Sequence, residues 1–538
     1  MQPDRHPGAE PEQPSPLALP GLGVLLAAGG LVVLLVAVGG RYGFHRDELY
    51  FVEAGRRPAF GYPDSPPLVP LLAAVWHDLV GGSLWWFRLV PALASGALVL
   101  VAAATSRALG GSRGDQAWTA AATACSTTVI GVGHLFSTTT FDALGTAITV
   151  LLVIHAIHLP AADAAPWRSW LAVGIAAGLT LQVKTLVASV LLACVVGLVL
   201  AGPRRVLRRP HPWAAAALAL AIAAPNLGWQ AANGWPQLEM SRAIAAGSSG
   251  TSVDRWAVVP LQVTLTGLVV APVLVGGVMG LLRSARLRPF RWLGVAYLVL
   301  LVIVVITGGK QYYTLGLLSV LLAAGIPGVR SAALARGPAI RRWLVPLVAV
   351  QVAVGALITL PVLPPRMFAG SPLAEAFYDT GEQLGWERLT VDVIGVASEL
   401  PPEQRVSAIV LTANYGEGTG PGPTPRRRPS AGVLRAQRVR LVGPAAGRRR
   451  AGDRSRPVPR CRPRAVVRRL PHRRHCRQRH RPGQRGTGSP DQGVRPAARD
   501  LEDTVALGAS PEVITATRLR PPVVIGCASR HLGRFSPG

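Results

Sequence analysis

Residues 21–40 read GLGVLLAAGGLVVLLVAVGG and contain no charged side chain, and RYGFHRDELYF follows directly over residues 41–51. Twenty residues of α-helix span about 30 Å, the thickness of the hydrocarbon core of a bilayer. Because lipid offers the backbone no hydrogen-bond partner, an apolar block of this length predicts a transmembrane helix. The change to charged and aromatic residues at Arg41 predicts the point at which the chain leaves the membrane.

Similar apolar blocks recur along the chain, which has 538 residues, half of them hydrophobic and 15% charged. A soluble protein does not concentrate its apolar residues in blocks of this length. The pattern predicts an all-α polytopic membrane protein of about eleven transmembrane helices, with a long first outer loop and an irregular C-terminal tail. The predicted spans are 21–40, 84–106, 116–134, 141–158, 168–183, 187–202, 213–229, 257–282, 292–307, 312–328 and 343–363.

The orientation follows from the arginines in short loops, which concentrate on the cytoplasmic side of membrane proteins. With the N-terminus inside, the arginine-rich loops after spans two, four, six, eight and ten all fall on the cytoplasmic side. The alternate loops are poorer in arginine and hold most of the acidic and aromatic residues. The pattern predicts a multi-pass protein of the cell (inner) membrane whose chemistry faces the extracytoplasmic side.

The chain is predicted to fall into four parts of different composition. Residues 1–20 form a disordered cytoplasmic N-terminus, 21–363 the transmembrane domain, 364–416 the start of an outer soluble domain, and 417–538 an Arg/Pro-rich tail. The tail holds 28 arginines against 7 acidic residues, and it dominates the net charge of +29. One interpretation of the tail is frameshifted translation of GC-rich DNA, and the other is a disordered tail that binds nucleic acid or anionic lipid. Nucleic acid is not an expected partner, because the predicted topology places the tail outside the membrane.

The five cysteines form no Cys-x-x-Cys pair, so the sequence supports neither a zinc site nor a disulfide framework.

The first outer loop contains the leading candidates for a functional site. Asp47 and Glu48 lie just beyond the first span, where a carboxylate could take a proton from a hydroxyl or help to hold a cation against a phosphate. Asp64 in GYPDSPPL (61–68) and His45 are further candidates, for substrate binding. The alternative is a solvated charge cluster, although the loop is rich in aromatic residues and proline.

Asp142 lies at the outer end of the fourth span, and an ionisable residue at membrane depth is a functional candidate. The alternative is an acidic residue that is favoured at a helix start by the helix dipole.

Only two lysines accompany 54 arginines, and both are predicted at the outer ends of spans. Lys184 and Lys310 could hold the phosphate of a lipid substrate. Lys310 precedes Tyr312 and Tyr313 in GGKQYYT, and we include this tyrosine pair in the candidate substrate-binding site. The alternative for the lysines is snorkelling to the lipid headgroups.

Residues 42–51, 61–68, 141–144, 225–239 and 309–317 together resemble glycosyltransferase family 39 of actinobacterial type. This family is related to protein O-mannosyltransferases and to the aminoarabinose transferase of lipid A, and the resemblance covers roughly residues 20–416. It implies a GT-C fold, a polyprenyl-phosphate sugar as donor, and an outer-face acceptor that is a protein, lipid or glycan.

The resemblance also implies roles for individual residues. Asp47 corresponds to the base or acceptor-orienting group of an inverting reaction, Asp142 to a supporting acid, and Lys310 and Lys184 to the groups that neutralise the leaving phosphate. The resemblance implies no definite cofactor. It is compatible with a divalent metal ion, for which the sequence identifies no ligands. A lipid-linked-substrate transporter or flippase is the alternative function, although the sequence shows no internal repeat of the kind that transporters carry.

Overall fold

The computed structural model of the protein describes residues 20–158, 166–247 and 252–406, together with three short strands. The described chain is almost entirely helical, as predicted. Its α-helices are α1 Leu22–Val38, α2 Arg46–Gly55, α3 Leu68–Leu79, α4 Leu84–Phe87, α5 Leu89–Ala108, α6 Arg113–Ala124, α7 Thr127–Gly133, α8 Thr138–His158, α9 Pro166–Leu181, α10 Leu186–Ala201, α11 Pro210–Ala232, α12 Pro236–Ala245, α13 Val263–Thr266, α14 Ala271–Arg283, α15 Arg291–Thr307, α16 Leu318–Ala335, α17 Pro338–Thr359, α18 Pro365–Ala369, α19 Leu373–Ala376, α20 Tyr378–Gly381, α21 Trp386–Glu399 and α22 Pro402–Val406. Short 3-10 helices lie at Arg204–Arg208, Trp256–Val258, Pro260–Gln262, Arg288–Phe290 and Gln311–Leu317.

Within the described residues, five helical segments are long and apolar enough to cross a membrane. They are Leu84–Ala108, Thr138–His158, Pro210–Ala232, Arg288–Thr307 and Gln311–Ala335. The pair Trp256–Thr266 and Ala271–Arg283 would form a sixth span, but it bends by 110°. Shorter apolar helices occupy Leu22–Val38, Leu68–Leu79, Leu186–Ala201 and Val345–Thr359.

Each of the eleven predicted intervals contains helix, but not every interval is a single straight α-helix. The interval 116–134 is divided into α6 and α7, and the interval 257–282 contains the 110° bend. At this bend Gly267 adopts φ 83°, a left-handed conformation that glycine adopts readily. The exact number of eleven spans stays a prediction.

Loops that are predicted to share a side of the membrane do contact one another. On the predicted outer side, the Leu68 amide donates to the Gln182 carbonyl at 3.0 Å, and the Gln230 side chain donates to the Tyr62 carbonyl at 3.1 Å. On the predicted inner side, Arg330 lies 3.1 Å from Asp115. The alternation of loops between two ends of the bundle therefore agrees with the arginine pattern.

The helices α14 and α16 pack through glycine. A Cβ atom on Gly277 of α14 would collide with the Leu321 carbonyl of α16, and one on Gly325 of α16 would collide with the Val273 carbonyl. Small residues allow helix backbones to approach closely, and such contacts drive helix association in lipid.

We expect Gly277→Ala to destabilise the bundle by about 1–3 kcal/mol, because the added methyl group meets backbone that cannot rotate away. Gly228→Ala in α11 is the matched control, since nothing lies within 4 Å of its Cβ position. The control should be neutral or slightly stabilising, since alanine favours helix over glycine. The thermal unfolding midpoint in detergent measures both, and an equal midpoint for the two variants would contradict this packing.

The chain divides into two compact units, of which the first contains residues up to Val391 and therefore the bundle. The second contains Asp392–Ala413 and Pro425–Ala528. In the second unit, the strands β1 Ile409–Thr412, β2 Val466–Arg468 and β3 Val524–Cys527 form a sheet of order β1-β3-β2. The β1–β3 pair is parallel and the β2–β3 pair antiparallel. The sequence pattern does not predict these strands; the rest of 417–538 and most of 1–20 lie outside the described residues.

Candidate functional site

The first outer loop is folded by a capping box at the start of α2. The His45 Nδ1 atom accepts a hydrogen bond from the Asp47 amide at 3.1 Å, and the Glu48 carboxylate accepts one from the His45 amide at 2.8 Å. Each of these bonds satisfies a backbone N–H that a helix start leaves unpaired. His45 is 3% exposed, so its position is that of a structural cap. Its predicted part in substrate binding remains a prediction.

Glu48 is completely buried and forms a two-point ion pair with Arg88 of the α4–α5 segment. The Arg88 Nε and Nη2 atoms donate to the two Glu48 oxygens at 3.0 and 2.7 Å, and the Phe136 amide donates to one of them at 3.0 Å. Arg88 also donates to the carbonyls of Gly39 and Gly43, both at 3.0 Å. With both of its carboxylate oxygens engaged, Glu48 anchors the loop to the bundle. The predicted catalytic role of Glu48, like those of Asp47 and Asp142, stays a prediction.

Asp47, the next-door carboxylate, is far more accessible. Its side chain is 33% exposed, and its Oδ1 atom lies 3.2 Å from the Arg46 Nε atom. Arg46 reaches in the other direction to Glu382, at 3.8 Å. Arg46 thus bridges the first loop and the segment that follows α20, and Asp47 keeps a surface that a substrate can reach.

The segment around Glu382 also holds the first loop through its backbone. The Gly43 amide donates to the Gln383 carbonyl at 3.1 Å, and the Gln383 side chain lies 3.2 Å from His134 Nε2. Earlier in the same segment, just after α17, the Leu363 carbonyl accepts a hydrogen bond from the Tyr42 hydroxyl at 2.9 Å. The chain beyond α17 therefore lies on the same side of the bundle as the first loop.

The two lysines come together around one pair of tyrosines. The Lys184 Nζ atom lies 5.7 Å from the ring centroid of Tyr312 and 5.3 Å from that of Tyr313. The Lys310 Nζ atom lies 5.8 Å from the Tyr312 centroid. These distances allow cation–π attraction. Lys184 also donates a hydrogen bond to Thr139 at 3.1 Å, which fixes it against the start of α8.

Electrostatics links the lysines to the predicted carboxylates. Burial lowers the pKa of Lys184, and the charges of Asp142 and Asp47 oppose that shift. Burial also lowers the pKa of Lys310, the neighbouring Lys184 charge lowers it further, and Asp379 and Asp47 oppose the shift. A bound anion would relieve the repulsion between the two ammonium groups.

Asp142 lies in the first turns of α8 and is 5% exposed. Its nearest hydrogen-bond donor among the described residues is the Thr146 hydroxyl, at 3.4 Å. Asp142 is thus a buried charge that opposes the fall in the pKa of Lys184, and it has less access to substrate than Asp47.

Asp64 lies in the same loop system as Asp47. It accepts a hydrogen bond from the Tyr50 hydroxyl at 2.5 Å. Burial raises the pKa of Asp64 to about 6, the Tyr50 hydrogen bond opposes the shift, and the Asp47 charge adds to it. Two neighbouring carboxyl groups with different environments are a frequent feature of functional sites.

This pKa predicts a pH-dependent stability. Because the pKa of Asp64 is higher in the folded state than in the unfolded chain, stability falls as pH rises from about 4 to about 6 and is not affected above that. Asp64→Asn should remove this fall, which is at most about 3 kcal/mol. The unfolding midpoint in detergent across this range measures it, with Glu239→Gln as control. An unchanged pH profile in Asp64→Asn would contradict the assignment.

A buried glutamine holds the segment that carries Lys310 and the tyrosines. Gln262 donates to the Gln311 carbonyl at 3.1 Å and accepts from the Thr314 hydroxyl at 2.6 Å and the Tyr297 hydroxyl at 3.2 Å. It lies just before the 110° bend, so the bent helix pair fixes the 3-10 helix Gln311–Leu317.

Comparisons with known proteins agree with this architecture. Residues 64–229 match the model of the family described as dolichyl-phosphate-mannose-protein mannosyltransferase. The crystal structure of ArnT from Cupriavidus metallidurans bound to undecaprenyl phosphate is 16% identical, covers 74% of this chain and 84% of its own, and superposes with a TM-score of 0.51. The apo form of the same protein is 17% identical, covers 74% and 83%, and gives a TM-score of 0.50. The predicted GT-C resemblance is confirmed. No curated protein sequence matches the chain.

Three of the candidate residues, Asp64, Asp142 and Lys184, lie inside the segment 64–229 that matches the family model. Asp47 and Lys310 lie outside the matched residues 64–229, and the structure brings their charges into the same cluster. The apolar helices and the GT-C fold together make the chain a multi-pass membrane protein. The actinobacterial type stays a prediction.

Four residues that hold the candidate site together are not singled out by the sequence pattern: Arg88, Thr139, Gln262 and Glu382. Arg88 could have been recognised from the sequence, because it is a charged residue inside the apolar block 84–106. Thr139, Gln262 and Glu382 carry no comparable signal, because each gains its role only from a partner far away in sequence.

Among the residues that the structure describes, no three His, Cys, Asp or Glu side chains come together as a metal site. The chemistry of a divalent ion would need oxygen ligands, and the exposed carboxylate of the site, Asp47, already faces Arg46. The part of the chain that the structure describes therefore offers a divalent ion few ligands at this site.

Proposed function

We propose that the protein transfers a sugar from a polyprenyl-phosphate donor to an acceptor on the outer face of the cell membrane. The observation that carries this proposal is the pairing of two lysines at one tyrosine: the Nζ atoms of Lys184 and Lys310 lie 5.7 and 5.8 Å from the Tyr312 ring centroid, and the charge of the accessible Asp47 opposes the fall in the pKa of both. A base for a hydroxyl and cations for a phosphate are the two groups that this reaction needs. The GT-C fold supports the reaction class, and the ArnT structure with undecaprenyl phosphate supports the donor class.

In the proposed step, Asp47 accepts the proton of an acceptor hydroxyl as the hydroxyl oxygen forms a bond to the anomeric carbon. The bond between that carbon and the phosphate oxygen breaks, and polyprenyl phosphate leaves with the electron pair. Because the acceptor attacks from the side opposite to the phosphate, the anomeric configuration inverts. Asp47 suits the role of base because it is more exposed than Asp142 and, unlike Glu48, is not enclosed by a buried ion pair.

The lysines act on the leaving group. The donor phosphate is a diester with one negative charge, and the product is a monoester that can carry two, so negative charge grows as the bond breaks. Cations placed beside that phosphate bind the transition state more tightly than the ground state, which is the condition for accelerating the reaction. Lys184 and Lys310 are the groups we assign to this role.

We expect Lys310→Gln to lower kcat/KM for the lipid donor by about 10- to 100-fold, since a charge-assisted hydrogen bond contributes about 1.5–3 kcal/mol. Lys310→Arg, which keeps the charge, should retain more activity than Lys310→Gln. Steady-state rates with varied donor concentration measure the effect. Equal activity of Lys310→Gln and wild type would remove Lys310 from the phosphate site.

The experiment that tests the function follows labelled sugar from polyprenyl phosphate into an acceptor fraction of membranes that contain the full chain. Transfer that depends on the protein supports the proposal. A transporter or flippase would instead move the labelled lipid between leaflets without transferring its sugar. A second preparation should carry the tail that results when the codons of residues 417–538 are translated in the alternative reading frame. It is needed because a frameshifted tail could itself abolish activity.

A further inference from the structure

A cleft of about 350 Å³ opens at the end of the bundle opposite to the candidate site. It lies between the ends of three helical segments, and the helix α8 shows the separation, since Asp142 is near its start and His158 is its last residue. The lining residues are Ile157, His158, Ala201, Gly202, Pro203, Arg288 and Pro289. The proposed sugar transfer does not use this cleft.

Exposed arginines lie at the cleft and, in the chain, directly after one of its lining residues. Arg288 lines it directly, and four more follow the lining residue Pro203 at once in the chain. These four belong to the 3-10 helix Arg204–Arg208 and to the residue after it: Arg204, Arg205, Arg208 and Arg209. A short helical turn beside a cleft thus concentrates positive charge at one point of the bundle.

These five arginines have no carboxylate partner within 4.0 Å among the residues that the structure describes, whereas Arg330 at the same end is paired with Asp115. The Nε atom of Arg291, one turn after Arg288, is buried with no hydrogen-bond partner in the same described region. Positive charge that is gathered without internal partners is complementary to an external anion.

The surroundings of the cleft are those of a membrane interface. The Trp213 indole donates to the Leu207 carbonyl at 2.8 Å, and Trp167 contacts His211 edge-on with ring centroids 4.3 Å apart. The ring of Phe290 lies 4.4 Å from that of His158 at the cleft. Tryptophan is enriched where membrane proteins meet the lipid headgroups. The cleft therefore lies at the depth at which phospholipid phosphates are found.

We propose that this cleft binds the headgroup of an anionic phospholipid of the inner leaflet. The phosphate would lie against Arg288 and the arginines of Arg204–Arg208, and the acyl chains would follow the apolar surfaces of α8, α10 and α15. The arginine pattern predicts this end of the bundle to be cytoplasmic, and basic pockets between membrane helices on that side bind anionic lipid headgroups. The site would tie the stability of the protein to the lipid composition of its membrane.

The test uses the full chain purified in a neutral detergent, to which phosphatidylglycerol, cardiolipin or phosphatidylcholine is added. The thermal unfolding midpoint should rise with either anionic lipid and not with phosphatidylcholine. Replacing Arg204, Arg205, Arg208, Arg209 and Arg288 by Gln together should weaken the apparent affinity for anionic lipid at least about tenfold.

The matched control removes five arginines from the same predicted side but away from the cleft: Arg107, Arg113, Arg283, Arg336 and Arg342. It loses equal charge and should keep the response to anionic lipid. Equal weakening in both variants would overturn the proposal in favour of general surface charge. The same stabilisation by inorganic phosphate, or no response of the wild type to anionic lipid, would overturn it as well.

Discussion

Replacing Asp47 by Asn is expected to reduce sugar transfer by about 100- to 10,000-fold, the range that a positioned general base contributes. The amide keeps the size of the side chain but cannot take the proton of the acceptor hydroxyl. The loop should remain folded, because the capping box uses the backbone amide of Asp47 and the side chains of its neighbours. Initial rates of labelled-sugar transfer at saturating donor measure the effect.

The matched control for Asp47→Asn is Glu53→Gln in the same helix. Glu53 pairs at 2.6 Å with Arg57, four residues later, on the exposed face of α2. This change removes the same charge and should leave transfer within about twofold of wild type, because surface pairs of this kind contribute little. Activity of Asp47→Asn close to that of Glu53→Gln would exclude Asp47 as the base.

Breaking the Glu48–Arg88 pair should have the largest effect on stability. Arg88→Met leaves the Glu48 carboxylate buried with only two backbone amides, and an uncompensated buried charge costs about 3–5 kcal/mol. The change also removes the hydrogen bonds that hold the carbonyls of Gly39 and Gly43. We expect a clear fall of the unfolding midpoint in detergent and a loss of activity through disorder of the first loop.

The exposed pair Arg56–Asp78 provides the comparison. Its two side chains are 2.6 Å apart, against 2.7 Å for Glu48 and Arg88, but they are 46% and 58% exposed. Arg56→Met should cost no more than about 1 kcal/mol. A midpoint for Arg88→Met as high as that for Arg56→Met would show that the buried pair does not anchor the loop.

The helices were predictable from the sequence because the length of an apolar block can be read from consecutive residues, without knowledge of distant contacts. Residues 21–40 and 292–307 show their helices in composition alone, and the structure forms α1 and α15 there. The bend near Gly267 and the division of 116–134 were not predictable, because they depend on distant partners. Gln351 shows this clearly: its side chain accepts from the amides of Val269 and Val270 and donates to the Thr266 carbonyl, which satisfies backbone groups that the bend leaves open.

The candidate site was predictable in its residue types and only partly in its geometry. Lys184 and Lys310 are conspicuous in the sequence because they are the only two lysines beside 54 arginines, and Asp47 because it lies just beyond the first apolar block. Their grouping around Tyr312 requires the fold. The separation of Asp47 from Glu48 was beyond the sequence, since adjacent carboxylates look alike until Arg88, 40 residues away, engages one of them.

The most direct test of the central claim is the protein-dependent release of polyprenyl phosphate in proteoliposomes. Full chain, the chain with the alternative tail frame and their Asp47→Asn variants would be supplied with labelled polyprenyl-phosphate sugars and a membrane extract as acceptor. We predict that the sugar is transferred and that an equal amount of polyprenyl phosphate is released. Both should be lost in the Asp47→Asn variants. Labelled lipid that crosses the bilayer with its sugar still attached, in the wild type and in the variant alike, would contradict it.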